Sequence, residues 1–360
     1  MGMKKSAGVT MAGIVIVSLL AAAMIFDTPL SIGPDLPECE HQPGTSCFNR
    51  LALNPADDWS DYSFVALGHI RSGPRERISP NQLLRNNVQR LFTDDPRFVL
   101  SLGDLYAYIN DRSLKEMSTW VNAYIPVPFF NAVGNHDIKA SALGIGGLVL
   151  IGRRGGVAKY ASKLGPLYFD FTVGSELFVF LHIGLGSAVS AEQLRYLRSQ
   201  IQRALSDPVI INVFILNHMV IWSYNNPIME PVFRYRHPKG PRGESSFFLD
   251  EIRPLLLPLA RKKRVFLLAG DIGGSRNYLQ TFYMKDEHFT YIATGMGNTD
   301  RDSFVTFTVK DGVVTMKNTN LVTGVESPLT DYGVEYWERF YREHPDRAAK
   351  VDRFRDDNPM

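Results

Sequence analysis

The sequence predicts an α/β fold built on a largely parallel β-sheet, and two observations lead to this prediction. Short apolar runs of strand length alternate with segments of helical periodicity over residues 62–133, and this order implies right-handed crossovers with parallel pairing. Two continuous apolar runs, at 209–216 and 265–269, have the composition of strands buried on both faces. A chain of 360 residues, 45% of them hydrophobic, is long enough for one large core or two modest ones.

The elements follow in order along the chain. The first half contains strands at 63–67, 98–102 and 127–133, an amphipathic helix at 78–92, and a helix at 113–124 with Ser113 as its candidate N-cap. A glycine-rich surface excursion is expected at 138–166. The second half contains a hairpin at 167–171 and 177–181, helices at 191–205 and 246–260, the two buried strands, and short β segments near 280–284, 288–294, 303–309 and 312–317. An aromatic-rich helix at 331–342 precedes a charged tail.

Each buried strand in this series ends in glycine or asparagine, and a side chain able to bind metal or move a proton follows. The set comprises His69, Asp104, Asn135 with His136, His218 and Asp271. One such residue alone is more often structural or solvated, whereas five in order indicate a shared site. The carboxyl ends of parallel strands form the rim where open α/β sheets bind their ligands. Oxygen and imidazole ligands together suit Mn, Fe, Zn or Mg.

The amino end predicts export. Lys4 and Lys5 precede an uncharged, mostly apolar run at 6–26 that is close to the length needed to span a bilayer. Residues 1–26 are therefore interpreted as a cleaved signal peptide or an uncleaved membrane anchor, and the length of the run favours the anchor. A buried terminal helix is the third interpretation. Export would leave the body anchored in the inner membrane and facing the periplasm or extracytoplasmic space, or secreted.

Residues 27–61 have the composition of a linker, because they are rich in Pro and Asp and lack periodicity. The only two cysteines of the chain, Cys39 and Cys47, lie in this segment. Two cysteines in a loop after an export signal suggest a local disulfide, and two free thiols are the alternative. The formal net charge of +2 lacks the basic excess of a nucleic-acid-binding protein, so no nucleic-acid partner is expected.

The ordered motifs resemble those of the calcineurin-like metallophosphoesterases. That family carries Asp-x-His, Gly-Asp, Gly-Asn-His-Asp or Glu, a later His, and Gly-His-x-His. Gly103-Asp104 and Gly134-Asn135-His136-Asp137 match the second and third motifs, and His218 after an apolar strand matches the fourth. The resemblance covers about 63–309 and implies a four-layer α-β-β-α sandwich of two mixed β-sheets. It places a phosphoesterase domain at 62–320 and a C-terminal helix and charged tail at 321–360.

Two motifs depart from the family pattern. Leu67-Gly68-His69 stands in place of Asp-x-His, and Gly270-Asp271-Ile272-Gly273 stands in place of Gly-His-x-His. When the family's ligands are carried over, one metal site keeps only His69 and Asp104. The other site keeps a fuller set, which is Asp104, Asn135, His218 and, as a harder fourth ligand, Asp271. The resemblance therefore implies one strongly bound divalent metal, which is Mn, Fe, Zn or Mg.

The resemblance also implies roles in catalysis and substrate binding. His136 has the family's place for protonating the leaving oxygen, with Asp137 fixing its orientation. Cations near the phosphate would partly offset a missing metal. Arg71, Arg276 and Arg236 are predicted to bind substrate, because each follows one of the rim motifs along the chain. The implied substrate is a phosphorylated small molecule or an envelope-derived phosphate ester.

Three functions remain open from the sequence. The first is a metal-dependent hydrolase that cleaves a phosphate ester outside the cytoplasm, tethered to the membrane through its N-terminal segment or secreted. The second is a catalytically inactive binding or scaffold protein at the cell envelope. Loss of three family ligands favours this second function, whereas the intact Gly134-Asn135-His136-Asp137 motif favours the enzyme. The third is a hydrolase of another ester with a single metal.

Overall fold

A computed structural model describes residues 36–72, 79–139, 152–184, 189–224, 226–233, 248–274 and 279–346. Contacts divide the chain into the units Met1–Leu36 and Pro37–Met360, and the elements below belong to the second unit. The predicted export segment at 1–26 lies outside the described residues, as do Arg236 and Arg276. Within the described ranges, no helix is both long and apolar enough to cross a membrane.

Two six-stranded mixed sheets form the centre of the described structure. The first contains, in spatial order, β12 (Glu326–Pro328), β11 (Val313–Asn320), β10 (Ser303–Lys310), β1 (Asp61–Leu67), β2 (Val99–Ser101) and β3 (Phe129–Asn131). The second contains β4 (Phe169–Val173), β5 (Glu176–Phe180), β6 (Asn212–Asn217), β7 (Arg264–Ala269), β9 (Phe289–Thr294) and β8 (Thr281–Lys285). Strands β1 to β3 are mutually parallel, as are β5, β6, β7 and β9, and the remaining pairs are antiparallel. The predicted pair of mixed sheets is confirmed.

The α-helices of the described ranges flank these sheets. They are α1 (Gln82–Asn87, continued by a 3-10 turn at Val88–Phe92), α2 (Asp111–Tyr124), α3 (Gly152–Leu164), α4 (Ala191–Ser206), α5 (Glu230–Phe233), α6 (Arg253–Ala260) and α7 (Val334–Glu343). Helices α4, α6 and α7 share one apolar cluster with the outer face of the second sheet, including Leu197, Leu256 and Trp337 against Val179 and Leu267. Alternation along each strand explains this arrangement, because successive side chains point to opposite faces.

The inner faces of the two sheets meet in an aromatic layer. Phe64 of β1 stacks between Phe98 and Phe307, with ring centroids 4.9 and 4.7 Å away. Phe178 and Phe214 of the second sheet contact Phe64 edge-on at 5.3 and 5.4 Å. Stacked and edge-to-face pairs of this kind are each worth about 0.5–1.5 kcal/mol beyond the apolar area that they bury. The sheets are therefore held face to face, which fixes the position of both rims.

Two segments differ from the sequence-based expectation. Helix α3 occupies part of the predicted surface excursion, and its Gly156 packs so closely on the carbonyl of Ile138 that a Cβ atom there would collide. The glycines that suggested a loop thus permit a helix to approach the backbone. The predicted linker at 27–61 is folded over its described part, which begins at residue 36. Cys39 and Cys47 form a disulfide there with Cα atoms 5.6 Å apart, and Phe48 is buried.

Candidate metal centre

The loops that follow β1, β2, β3, β6 and β7 meet at one rim of the sandwich, and two glycines allow this approach. Gly103 has a φ of +90°, and a Cβ atom there would clash with Nδ1 of His218. A Cβ atom on Gly134 would collide with the backbone nitrogen and Oδ1 of Asp104. The glycine in each motif is thus explained by backbone contact, since any larger residue would push the site apart.

Asp104 is the central residue of this rim and is almost completely buried. Its φ of +59° is rare for a residue with a side chain and is typical of functional sites. Its two carboxylate oxygens face different neighbours. Oδ1 lies 3.3 Å from Nε2 of His218 and accepts a hydrogen bond from the backbone N–H of His136 at 3.1 Å. Oδ2 lies 3.3 Å from Nε of Arg71 and 3.6 Å from Nε2 of His69.

The pKa of Asp104 reflects these neighbours. Burial alone would raise the pKa of this carboxyl, but the combined charges of His218, His69, His136 and Arg71 lower it to about 2. Asp104 is therefore an anion throughout the physiological pH range. A permanently charged carboxylate with two differently occupied oxygens is the kind of group that bridges or binds cations.

Asp104, His218 and Asp271 form a cluster whose ligand atoms all lie within 4.8 Å of one another. Nδ1 of His218 lies 2.7 Å from the Leu102 carbonyl, which can only accept, so Nδ1 carries a proton and Nε2 is the ring nitrogen that faces the site. Nε2 is buried and has no hydrogen-bond partner among the described residues. It lies 3.3 Å from Oδ1 of Asp104 and 3.6 Å from Oδ1 of Asp271. A divalent cation fits this position, because it can replace a proton on a buried nitrogen that shares a small space with two carboxylate oxygens.

The two histidines that face Asp104, His218 and His69, differ in the protonation state that their surroundings favour. Burial alone would lower the pKa of His218, but the nearby Asp104 and Asp271 carboxylates raise it above its ordinary value. Burial lowers the pKa of His69 to about 4, with Arg71 acting in the same direction and Asp104 opposing it. Nδ1 of His69 is held 2.8 Å from the Met296 carbonyl. His69 is thus a neutral imidazole whose Nε2 faces Oδ2 of Asp104.

His136 and Asp137 occupy the turn after β3 and have separate partners. Nδ1 of His136 lies 2.8 Å from the Ala107 carbonyl, so this carbonyl orients the imidazole. The Asp137 carboxylate is fully buried and accepts hydrogen bonds from three backbone N–H groups and one side-chain amide, those of Asp104, Leu105, Gly134 and Asn131. Asp137 therefore holds together the loops that carry Asp104 and His136. It positions His136 through the backbone of the turn rather than through its imidazole.

Among solved structures, the purple acid phosphatase PPD1 isolated from yellow lupin (Lupinus luteus) seeds resembles this chain with a TM-score of 0.53 and 15% sequence identity. The chain has the metallophosphoesterase fold. The match covers 80% of this chain and 54% of the phosphatase, so the chain spans about half the length of that relative. A sulfate thiohydrolase SoxB of Thermus thermophilus is a weaker match, with a TM-score of 0.32, 13% identity and 73% and 46% of the two chains covered.

No family model and no curated protein sequence matches the chain. The likeness is therefore one of fold alone. This rim brings His69, Asp104, His136, His218 and Asp271 together. Asn135 lies exposed at the start of the same turn. Its predicted role as a ligand stays a prediction.

The sequence does not indicate several supporting groups of the site. The carbonyls of Leu102, Met296 and Ala107 orient the three rim histidines, and a carbonyl has no signal in the sequence because every residue carries one. The hydroxyl of Tyr160 in α3 accepts a hydrogen bond at 3.0 Å from the side-chain amide of Asn131, which also donates to Asp137. A helical pattern in the glycine-rich segment would have been the only signal for Tyr160.

Proposed function

We propose that this protein is a metal-dependent hydrolase that cleaves a phosphate ester and binds one metal ion strongly. The observation that carries the proposal is the buried Nε2 of His218, which has no hydrogen-bond partner among the described residues and faces the carboxylates of Asp104 and Asp271. The partly buried His136 lies beside this cluster, since its backbone N–H donates to Asp104 at 3.1 Å. A cation site next to a group that can transfer a proton is an arrangement that supports phosphoester hydrolysis.

Asp104, His218 and Asp271 would hold the metal, and the predicted ligand Asn135 would complete the set from the adjacent turn. When bound there, a divalent ion supplies Lewis-acid polarisation of a phosphoryl oxygen. Carboxylate and imidazole ligands admit Mn, Fe, Zn and Mg, and they do not select among these ions. The Leu102 carbonyl holds the His218 ring in the tautomer that a ligand needs.

His136 would deliver the proton to the leaving group. In the reaction, a water oxygen bonds to phosphorus and releases a proton to solvent, while the ester P–O bond breaks and the leaving oxygen takes a proton from Nε2 of His136. Nδ1 is held by the Ala107 carbonyl, so Nε2 is the ring nitrogen left for this transfer. General acid catalysis of this kind contributes typically about 10²–10⁴-fold.

The substrate we propose is a phosphorylated small molecule or an envelope-derived phosphate ester outside the cytoplasm. The support for this location is the basic and apolar pattern of residues 1–26, as a signal peptide or membrane anchor. Arg71 lies at the rim next to Asp104, whereas Arg236 and Arg276 remain candidate substrate-binding residues by their sequence positions alone.

Metal analysis and hydrolysis assays on the full-length chain test this proposal. We expect about one equivalent of metal per chain, its loss in Asp271→Ala, and turnover of a phosphomonoester or phosphodiester that falls about 10²-fold or more in His136→Ala. Glu287→Ala is the matched control and should keep both metal and turnover, because Glu287 is an exposed carboxylate in the turn before β9, at the opposite end of that strand from the rim.

The alternative function is a catalytically inactive binding or scaffold protein with this fold. The observation in its favour is that Leu67 and Gly273 replace two ligands of the family pattern. Purified protein that holds no metal, and whose turnover in the presence of Mn does not exceed that of His136→Ala, would establish this alternative and exclude the enzyme.

A further inference from the structure

Arg71 and His218 approach different carboxylate oxygens of Asp104. Nε of Arg71 lies 3.3 Å from Oδ2, whereas Nε2 of His218 lies 3.3 Å from Oδ1. The backbone N–H of Arg71 also donates to the Asp104 carbonyl at 2.9 Å. The Arg71 side chain is only 19% exposed. Arg71 is thus fixed at both its backbone and its guanidinium to the residue that organises the site.

Oδ2 of Asp104 has too few candidate ligands around it to share a second metal ion. Besides Arg71, only Nε2 of His69 lies near it among the described residues, at 3.6 Å. The residue that would supply a further carboxylate in the family pattern is Leu67, which is buried and apolar. A divalent ion at this position would also lie beside a guanidinium, and two positive charges at such a distance repel each other.

The charge balance of the site requires another cation. The carboxylates of Asp104 and Asp271 neutralise one divalent ion, so the metal and its anionic ligands together carry no net positive charge to attract a phosphate. Arg71 restores one positive charge. Its contact with Asp104 uses Nε, which leaves the two Nη groups outside this pair and able to donate to phosphate oxygens.

We propose that the guanidinium of Arg71 takes the place of a second metal ion and is the permanent anion-binding group of the site. This inference rests on the proposed function for its biological meaning, but phosphate binding by the Mn-loaded chain can be measured whether or not the chain hydrolyses an ester. It predicts that a phosphate group is bound by Arg71 on one side of Asp104 and approaches the single metal position on the other.

Calorimetric titration with inorganic phosphate tests the proposal in full-length protein in the presence of excess Mn. We expect the affinity of Arg71→Gln for phosphate to be about 10- to 100-fold weaker than that of wild type, because a hydrogen bond to a charged group contributes about 1.5–3 kcal/mol. Arg71→Lys should keep part of the affinity, since it retains the charge but not the planar fork. Metal analysis should give about one ion per wild-type chain loaded in excess Mn.

Arg97→Gln is the matched control, because Arg97 also pairs with a carboxylate, that of Asp57 at 3.7 Å, and its side chain is 44% exposed away from the rim. It should bind phosphate as wild type does. Two tightly held ions per wild-type chain would overturn the proposal, as would phosphate affinity in Arg71→Gln within about twofold of wild type. If metal and turnover are absent but Arg71→Gln still loses phosphate binding, the proposed hydrolase fails while the assignment of Arg71 stands.

Discussion

At the scale of the residue, Asp137 shows how much of the site depends on one buried carboxylate. Its oxygens accept four hydrogen bonds that connect the loop after β2 to the turn after β3. Burial and the neighbouring charge of Asp104 raise the pKa of Asp137 to about 6, while hydrogen bonds from Gly134, Leu105 and Asn131 oppose this rise. Burial of this carboxylate is unfavourable in itself, and the hydrogen bonds by which it organises the backbone around Asp104 offset that cost.

Replacing Asp137 by Asn tests this role. The amide NH₂ of Asn would face N–H donors, so at least one buried donor would be left without an acceptor at a cost of about 1–3 kcal/mol. We expect Asp137→Asn to lower the free energy of unfolding by about 2–4 kcal/mol in denaturant titrations. Asp111→Asn is the control, because Asp111 is 81% exposed and pairs only with Lys159. Equal stability of the two variants would contradict the prediction.

Residue types alone predicted much of the candidate site, but not its contacts. The positions of Asp104, His218 and Asp271 after apolar strands were sufficient to anticipate a shared rim, and the structure brings them within 4.8 Å. The sequence could not show that Asp137 turns away from the imidazole of His136. Hydrogen-bond partners are chosen by three-dimensional distance, and the Ala107 carbonyl reaches that ring first.

At the scale of the element, the loop between β9 and β10 supports the rim from the side of His69. Met296, at the start of this loop, accepts from His69, and Asp302 closes the loop by accepting from the backbone N–H groups of Gly297, Asn298 and Thr299. Asp302 is fully buried. Burial raises its pKa to about 6, even though the hydrogen bonds from these N–H groups lower it.

This pKa predicts a pH dependence of stability. A carboxyl whose pKa is higher in the folded chain than its ordinary 3.8 stabilises the fold below about pH 4, and this stabilisation is lost as the pH rises through about 6. The difference corresponds to about 3 kcal/mol. We therefore expect the stability advantage of wild type over Asp302→Asn, measured by urea unfolding, to shrink by about that amount between pH 4 and pH 7.

The exposed neighbour Asp300 supplies the control for this measurement, because its side chain lies at the surface of the same loop. The difference in unfolding free energy between wild type and Asp300→Asn should not shrink by about 3 kcal/mol between pH 4 and pH 7. An advantage over Asp302→Asn that is constant from pH 4 to pH 7 would refute the assignment of a raised pKa to Asp302.

At the scale of the whole molecule, the aromatic layer between the sheets determines where the rim loops meet. Phe64 contacts rings from both sheets, and it is fully buried. The first sheet carries Asp104 and His136, and the second carries His218 and Asp271. The site therefore exists only while the two sheets are packed face to face.

Truncation of Phe64 should destabilise the whole molecule. Phe64→Ala leaves a cavity in a closely packed layer, for which we expect a loss of about 3–5 kcal/mol in the free energy of unfolding. Val209→Ala is the control, since Val209 is 62% exposed and its truncation should change stability by less than about 0.5 kcal/mol. If Phe64→Ala unfolds at the same denaturant concentration as the control, the layer does not hold the sheets together.

The sequence by itself determined the order of the strands along the chain, the glycine or asparagine at each rim turn and the chemical types of the candidate ligands. These features depend on local periodicity and on the residues themselves. Only the tertiary structure decided which side chains face each oxygen of Asp104, with His218 at Oδ1 and Arg71 and His69 at Oδ2. That division depends on the packing of two sheets whose strands are distant in the chain, and no local pattern encodes it.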